Sequence, residues 1–238
     1  MKKYCLSIVL LIIAVSVGAQ KTIVNDRNAE IRTVNGNFEN IEISGGIDLY
    51  LSQYNSTSIA VSAAADQYKE HIKTIVENNT LKIYYDGPKQ WSSGNKQLKV
   101  YVSFNNLARL KASGGCDIVV AGKIEVNSLQ VLLSGACNFK GAVKIANLSM
   151  ELTGASDIRI SGTANEVSIQ TSGASDVKGY DLVTEICNAK ASGASDINIT
   201  VNKELNASAS GASDIFYRGN AELKGNSSNG ASSVVKKG

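Results

Sequence analysis

One short phrase recurs seven times in the second half of this 238-residue chain, and it limits the folds that are open to the sequence. The phrase is Ser-Gly-Ala-Ser-Asp followed by an apolar residue, with variants at both ends of the series. Its copies start 18 to 21 positions apart. A repeat of this length is typical of solenoids, in which each copy forms one coil. The copies begin at Ser113, Ser134, Thr153, Ser172, Ser192, Ser210 and Asn229.

Apolar and polar residues alternate on both sides of the phrase. Leu129, Val131 and Leu133 precede one copy, and Ile158 and Ile160 follow another. A period of two predicts β-strands with one buried face, and no window of the repeat shows the 3.6-residue period of a helix. The sequence therefore predicts an all-β parallel β-helix with coils of about 19–20 residues, in which each strand pairs with its copy one coil further on.

The Gly-Ala pair of each copy is predicted to form a tight corner between two strands. Such a corner needs a positive φ or leaves no space for a Cβ atom, and glycine meets both conditions. The alanine that follows is small enough to stack behind the glycine. The corner glycines of the four best copies are Gly154, Gly173, Gly193 and Gly211.

A less regular β portion precedes the repeat. Residues 38–53 are predicted to form two strands joined at Ser44-Gly45-Gly46, an early variant of the corner. We expect this portion to cap the solenoid, because an open end coil exposes unpaired strand edges. Further elements are expected as strands at 59–61, 81–85 and 98–104 and a short helix at 63–72.

The N-terminus predicts export. Lys2 and Lys3 precede an apolar run at 6–17, and Gly18-Ala19 supplies the small residues that a signal peptidase requires. The run is too short for a stable membrane-spanning helix, so we expect cleavage and no transmembrane segment afterwards. The expected location is the periplasm or the outer cell surface. The predicted divisions are a signal peptide at 1–19, the N-terminal β portion at 20–106 and the repeat β-helix with its C-terminal cap at 107–238.

Neither nucleic-acid binding nor catalysis is expected from the composition. The formal charge is +3, and only +1 without the two N-terminal lysines, with no basic block. The single histidine, His71, lies outside the repeat, and no Gly-x-Ser-x-Gly motif occurs. Arg159 and Lys178 share one repeat position but Asn198 follows, so we expect no basic cluster beside the repeat acids. No enzyme activity and no cofactor are predicted.

The repeat acids are one candidate site, because one carboxylate recurs in almost every coil. Stacked carboxylates repel each other by about 1 kcal/mol in water, so another interaction has to offset this. Asx-type hydrogen bonds to the N–H groups of the corner are the favoured interpretation. The alternative is a ladder of Ca²⁺ ions held between coils, although calcium-binding solenoids have about half this period. The ladder would consist of Asp157, Asp176, Asp196 and Asp214.

Two cysteines occupy the second serine position of consecutive copies. Cys116 and Cys137 are therefore predicted to be stacked neighbours, either as a disulfide or as two free, half-buried thiols. Export favours the bridge, whereas in-register stacking opposes it because both Cβ atoms point the same way. Cys187 aligns with Leu148 and Val167 and is predicted to lie in the core.

Aromatic residues near a polar loop are the remaining candidates for ligand contacts. Trp91 lies within the loop at 86–96, and Tyr84 and Tyr85 immediately precede it. Exposed aromatic side chains can stack on sugar rings or anchor a protein partner. The alternative is ordinary packing of the N-terminal portion.

The segment Phe38-x-x-Ile41-x-Ile43-Ser-Gly-Gly-Ile-Asp-Leu, followed by the Ser-Gly-Ala-Ser-Asp series, resembles the putative auto-transporter adhesin family, also called head GIN domain proteins. The resemblance extends from about residue 38 to residue 235. It implies an exported or surface-associated β-helical protein of Gram-negative bacteria with a role in adhesion.

The predicted function is a non-catalytic adhesion or interaction module that presents a repetitive polar face to a surface protein or a glycan. One alternative is a β-helix that binds carbohydrate, with or without weak polysaccharide cleavage. Another is a structural protein of the cell envelope. Binding that depends on Trp91 would favour the carbohydrate alternative.

Overall fold

The computed structural model describes residues 26–88 and 96–238. It is 69% strand and 2% helix, which confirms the all-β prediction. The strands form one 16-stranded sheet wound into a parallel β-solenoid of about seven turns. The predicted parallel β-helix is therefore confirmed. The predicted signal peptide at 1–19 lies outside the described residues.

The strands are short before the repeat and long within it. The elements before the repeat are β1 (Glu30–Arg32), β2 (Asn40–Ser44), β3 (Asp48–Gln53), β4 (Ser58–Ser62), α1 (Asp66–Lys69), β5 (Ile72–Glu77), β6 (Thr80–Tyr85) and β7 (Lys99–Phe104). The repeat region contains β8 (Arg109–Gly114), β9 (Asp117–Gly135), β10 (Asn138–Leu152), β11 (Asp157–Thr171), β12 (Asp176–Ala191), β13 (Asp196–Gly211), β14 (Asp214–Arg218), β15 (Glu222–Gly230) and β16 (Ser233–Lys236).

Strand β11 shows how one coil is built. It passes through two bends, one at Gly162 with φ +108° and one at Asn165, where the ladder to the next coil skips a residue. We call residues 157–161 and their partners in other coils the first face, 163–165 the second face and 166–171 the third face. Alternate side chains are buried along the first and third faces, so the core runs along the inside of the coils.

The core is formed by apolar side chains at the same repeat position, which stack on one another in consecutive coils. Ile158 lies in register between Phe139 of the coil before and Val177 of the coil after, and all three side chains are almost fully buried. Each coil of the solenoid therefore contacts mainly its two neighbours, as expected for a repeat protein.

The corner confirms both reasons for its glycine. Gly154 has φ +82°, and a Cβ atom added to it would lie 2.5 Å from the carbonyl oxygen of Gly135 in the preceding coil. The same contact recurs at Gly173. The alanine side chains are exposed, and the backbone N–H of Ala155 donates to Gly135 O at 2.7 Å. The sheet hydrogen bonding therefore continues through the corner.

Buried serines satisfy the remaining polar groups of the corner. Ser175 is fully buried, and its hydroxyl accepts the N–H of Ser156 at 3.2 Å and donates to Ser172 O at 3.2 Å. Ser195 takes the same place one coil further on, where it accepts the N–H of Ser175 at 3.4 Å. We expected the repeat aspartates to have this role, but serine is the residue whose side chain points inward at the corner.

The N-terminal coils are stacked in an order that differs from the order along the chain. The coil of β2 and β3 lies between the coil of β6 and β7 and the coil of β8 and β9, and all of these pairings are parallel. Strand β4 is antiparallel to β7, β1 is antiparallel to β4, and β5 is antiparallel to β6. These three antiparallel strands cover the N-terminal end of the solenoid.

The predicted strands before the repeat are confirmed, but the helix predicted at 63–72 is wrong over most of its length. Only Asp66–Lys69 is helical, and β5 begins at Ile72, which is 3% exposed. Antiparallel pairing with β6 offers burial to this segment, and tertiary contacts of this kind override a weak local preference for helix. At the other end, β15 and β16 pair in parallel with β13 and β14, so the degraded last copy forms a further coil.

The corner geometry predicts that Gly173→Ala destabilises the protein by about 2–5 kcal/mol, because it adds the strain of a positive φ to overlap with the Gly154 carbonyl. Ala174→Ser, one residue further on at an exposed position, should change stability by less than about 0.5 kcal/mol. Urea unfolding followed by circular dichroism measures both. Equal midpoints for the two variants would contradict the proposed tight corner.

The buried serine ladder gives a second prediction. Ser175→Ala should cost about 1–3 kcal/mol, because the buried N–H of Ser156 loses its acceptor. Ser175→Cys should cost less, since Cys116 and Cys137 already occupy this position in other coils. The melting temperatures of the two variants test the ranking. A cysteine variant less stable than the alanine variant would show that the hydrogen bond does not decide stability here.

Candidate interaction face

The acidic column on the first face is neutralised by neighbouring side chains. Lys178 Nζ lies 3.5 Å from Asp157 and 3.6 Å from Asp176 and so bridges two consecutive coils. Asn138 Nδ2 donates to Asp117 at 2.8 Å. The repulsion expected from stacked carboxylates is therefore offset by ion pairing and hydrogen bonding between coils.

A column of bases runs beside the acids, which corrects the expectation that no basic cluster forms there. Lys140 is in register with Arg159, and Arg159 is in register with Lys178. Only Arg159 and Lys178 were assigned to this repeat position from the sequence, although Lys140 follows Asn138 by two residues as Arg159 follows Asp157. Acidic and basic columns alternate on this face, so its charges largely cancel.

The predicted calcium ladder has a donor set that fits Ca²⁺ poorly. Six to eight oxygen ligands surround Ca²⁺ in proteins, whereas the ladder supplies one carboxylate per coil. Asp157 and Asp176 share Lys178, and Asp196 accepts the N–H of Asp214 at 3.2 Å. In the described part of the chain, no three His, Cys, Asp or Glu side chains are grouped so that they could hold a metal ion.

The two repeat cysteines are stacked in adjacent coils, as their positions predict, and no bond joins them in this structure. Each is fully buried, and its Sγ donates to a corner carbonyl, Ser113 O at 3.3 Å for Cys116 and Ser134 O at 3.2 Å for Cys137. A hydrogen bond with Cys137, together with burial, raises the pKa of the Cys116 thiol. The thiols thus replace hydroxyls of the serine ladder, and a disulfide between them stays a prediction.

The third cysteine, Cys187, is fully buried between Val167 and Leu205, its partners in the two neighbouring coils. Burial raises its pKa to about 12, so the thiol stays protonated at neutral pH. It is a core residue, as its alignment predicts.

The aromatic candidates do not form an open stacking platform in the described residues. The ring of Tyr85 is covered by Lys96, whose Nζ lies 4.6 Å from the ring centroid, and by the edge of His71 at 5.7 Å. Tyr84 is half-buried at the end of β6. Trp91 lies outside the described residues. Contacts of Tyr84 or Trp91 with a ligand stay predictions.

The third face presents a column of small amide and hydroxyl side chains. Its members succeed one another in register over five coils, as Gln130, Ser149, Ser168, Asn188 and Asn206. Asn206 Nδ2 donates to Asn188 at 3.1 Å. Among residues 26–88 and 96–238, the side chains of Gln130, Ser149 and Ser168 have no hydrogen-bond partner. These groups are free to bind an external ligand.

Two shallow depressions of about 300 Å³ each lie on this same face. We call the first the axial groove. Its floor follows the backbone of Leu129, Leu148 and Val167, and Asn147 and Ser149 stand on opposite sides of it. The second depression lies nearer the glycine corner, between Gln170 and Ser172. The alternation of the repeat indicated which residues point outward, but it contained no information on where the surface is concave.

Across residues 26–88 and 96–238, no helix combines the length and the apolar character needed to cross a membrane. A family model described as "Putative auto-transporter adhesin, head GIN domain" matches residues 37–221. No curated protein matches the sequence.

Solved structures share the fold at low sequence identity. A putative adhesin from Bacteroides fragilis NCTC 9343 has a TM-score of 0.82 at 20% identity, over 88% of this chain and 96% of that one. A putative lipid binding protein from Parabacteroides distasonis ATCC 8503 has a TM-score of 0.66 at 22% identity, over 90% and 98% of the two chains. A putative adhesin from Parabacteroides merdae ATCC 43184 has a TM-score of 0.65 at 16% identity, over 90% and 98%.

The charge pattern of the first face predicts that calcium does not stabilise this protein. Millimolar Ca²⁺ and an excess of EDTA should give the same melting temperature, because Lys178 pairs with Asp157 and Asp176 and because, within residues 26–88 and 96–238, no third His, Cys, Asp or Glu side chain joins them in a metal-binding group. Differential scanning fluorimetry measures the shift. A rise with Ca²⁺ that EDTA reverses and that Asp196→Asn abolishes would contradict this interpretation and restore the calcium ladder.

Proposed function

Because the chain belongs to the family described as "Putative auto-transporter adhesin, head GIN domain", we propose that it is a non-catalytic interaction module that attaches to a surface partner through its third face. The column of Gln130, Ser149, Ser168, Asn188 and Asn206 is the observation that carries this proposal.

The column supports attachment by many weak contacts. One hydrogen bond contributes only about 0.5–1.5 kcal/mol after exchange with water. Five coils repeat the same kind of donor and acceptor on one rigid sheet, so a partner with a matching repeat gains several contacts without ordering a flexible loop. Affinity then depends on the length of the contact more than on any single residue.

The arrangement of the charged residues supports a role without catalysis. Acids and bases on the first face recur at fixed repeat positions and are paired between coils, as Lys178 is with Asp157 and Asp176. A general acid and base pair instead needs two groups with different environments and different pKa values. The buried thiols of Cys116 and Cys137 are not accessible to a substrate.

Membership of the family suggests an exported or surface protein. We place the module on the outer surface, where the third face meets other cells or their polymers. The predicted signal peptide is the sequence feature that supports this placement.

Attachment through the third face predicts the behaviour of two matched double variants. Ser149→Glu with Ser168→Glu adds two stacked negative charges to the third face, and Thr163→Glu with Val183→Glu adds two stacked negative charges to the second face, with the same change in net charge. Microspheres coated with residues 20–238 are perfused over mucin-coated glass and over intact cells of the producing bacterium. Retention should fall at least about tenfold for the first pair only.

Two results would contradict the proposed function. If microspheres coated with the wild-type protein are retained on neither surface, the protein has no adhesive role towards them and the proposed function is contradicted. Equal retention of both double variants and the wild type would show that the third face is not the face that attaches. Circular dichroism and melting temperatures of the variants establish that both are folded.

A further inference from the structure

We propose that the axial groove binds an extended, neutral, β-1,4-linked polysaccharide, with one monosaccharide for each coil. The proposal rests on the proposed function, because it names the ligand class of the same third face.

The groove runs along the axis of the solenoid. Its lining residues come from five consecutive coils, from Ala108 through Leu129, Leu148 and Val167 to Asn188. Neighbouring strands in a sheet are about 4.8 Å apart, so the groove is roughly 19 Å long. A pyranose ring advances an extended β-1,4-linked chain by about one strand spacing. Successive sugars therefore meet outward polar side chains at one register position in successive coils, such as Gln130, Ser149 and Ser168.

The shape favours a chain over a single small ligand. A volume of about 300 Å³ is at the low end for pockets that enclose a small molecule. The groove is straight, because its floor follows in-register residues of parallel strands. A helical α-linked glucan would leave such a floor within a few sugars, whereas an extended ribbon stays on it.

The chemistry of the groove fits sugar hydroxyls and the C–H faces of the rings. The floor is the backbone of Leu129, Leu148 and Val167, whose side chains are only 1–2% exposed. On its sides, Asn147 and Ser149 offer an amide and a hydroxyl, and neither side chain has a partner in the described part of the chain. Each such group can both donate to and accept from a sugar hydroxyl.

The charge of the groove selects a neutral chain. Glu166 is the one charged residue among those that line it, so a polyanion would be repelled there. The second depression is different, because Glu151 and Lys190 border it and the hydroxyls of Thr153 and Ser192 already donate to Leu133 O and Thr171 O. Its hydrogen-bonding groups are therefore less available to a ligand.

No aromatic residue is among those that line the groove, so each sugar contributes little. Affinity then has to accumulate over several coils. We therefore expect affinity to rise with the length of the sugar chain until the five coils are filled.

The first experiment measures this length dependence. Cello-, xylo- and manno-oligosaccharides, from disaccharide to octasaccharide, are titrated into residues 20–238 by isothermal calorimetry. For at least one series, the Kd should fall about threefold to tenfold for each added sugar up to a tetrasaccharide or pentasaccharide and then level off. Binding that does not depend on length, or no binding in any series, would overturn the proposal.

The second experiment locates the site. Ser168→Arg places a long side chain in the middle of the groove and should weaken binding of the hexasaccharide at least about tenfold. Thr163→Arg is the matched control, because it lies in the same coil, is exposed and faces away from the groove, and it should bind like the wild type. Asn147→Ala, which removes the amide without adding bulk, should weaken binding less than Ser168→Arg. Equal binding by all three variants and the wild type would overturn the proposed site.

The two proposals fail in distinguishable ways. Microspheres retained through the third face without any oligosaccharide binding would leave the proposed function standing and overturn the neutral glycan. Polygalacturonate or anionic lipid vesicles that bind more tightly than the neutral series would also overturn it, because Glu166 opposes both. Oligosaccharide binding that Ser168→Arg abolishes, without retention of wild-type microspheres, would support the groove and contradict adhesion.

Discussion

The close contact between corner glycines of adjacent coils is the constraint on which the rest of the structure depends. Gly154 packs against the carbonyl of Gly135 so closely that no Cβ atom fits, and the N–H of Ala155 donates to that carbonyl at 2.7 Å. This hydrogen bond holds consecutive corners at one strand spacing. A side chain at this glycine would push adjacent corners apart. The hydrogen bond between them would then break, and both flanking strands would lose their register.

Exact register has a direct consequence for the surface. Residues at equivalent positions are held one strand spacing apart, so a difference at one position of the repeat becomes a column along the solenoid. Lys140, Arg159 and Lys178 form such a column, and Ser149 and Ser168 belong to another. The charged columns neutralise one another, whereas the amide and hydroxyl column keeps its hydrogen-bonding capacity. The amide and hydroxyl column of the third face is therefore the better surface for a ligand with its own repeat.

The polar side chains that stabilise the coils point inward, whereas those proposed to bind a ligand point outward. The hydroxyls of inward serines such as Ser175 form hydrogen bonds with backbone groups of the corner. The buried thiols of Cys116 and Cys137 form the corresponding bonds to corner carbonyls. The hydroxyl of an outward serine such as Ser168 forms no hydrogen bond within the described residues. Substitutions on the third face should therefore alter binding with little effect on folding, which makes the face experimentally separable from the scaffold.

The sequence by itself determined the solenoid, its coil length and its glycine corners, because spacing and alternation report directly on which residues face the core. It also identified Cys116 and Cys137 as stacked neighbours. It did not reveal that β2 and β3 lie between two later coils, since strand pairing distant in sequence depends on packing. It assigned the corner hydrogen bonds to aspartate instead of serine and missed Lys140 beside Arg159. Only the tertiary structure decided where the surface is concave, because curvature arises from how whole coils bend and stack.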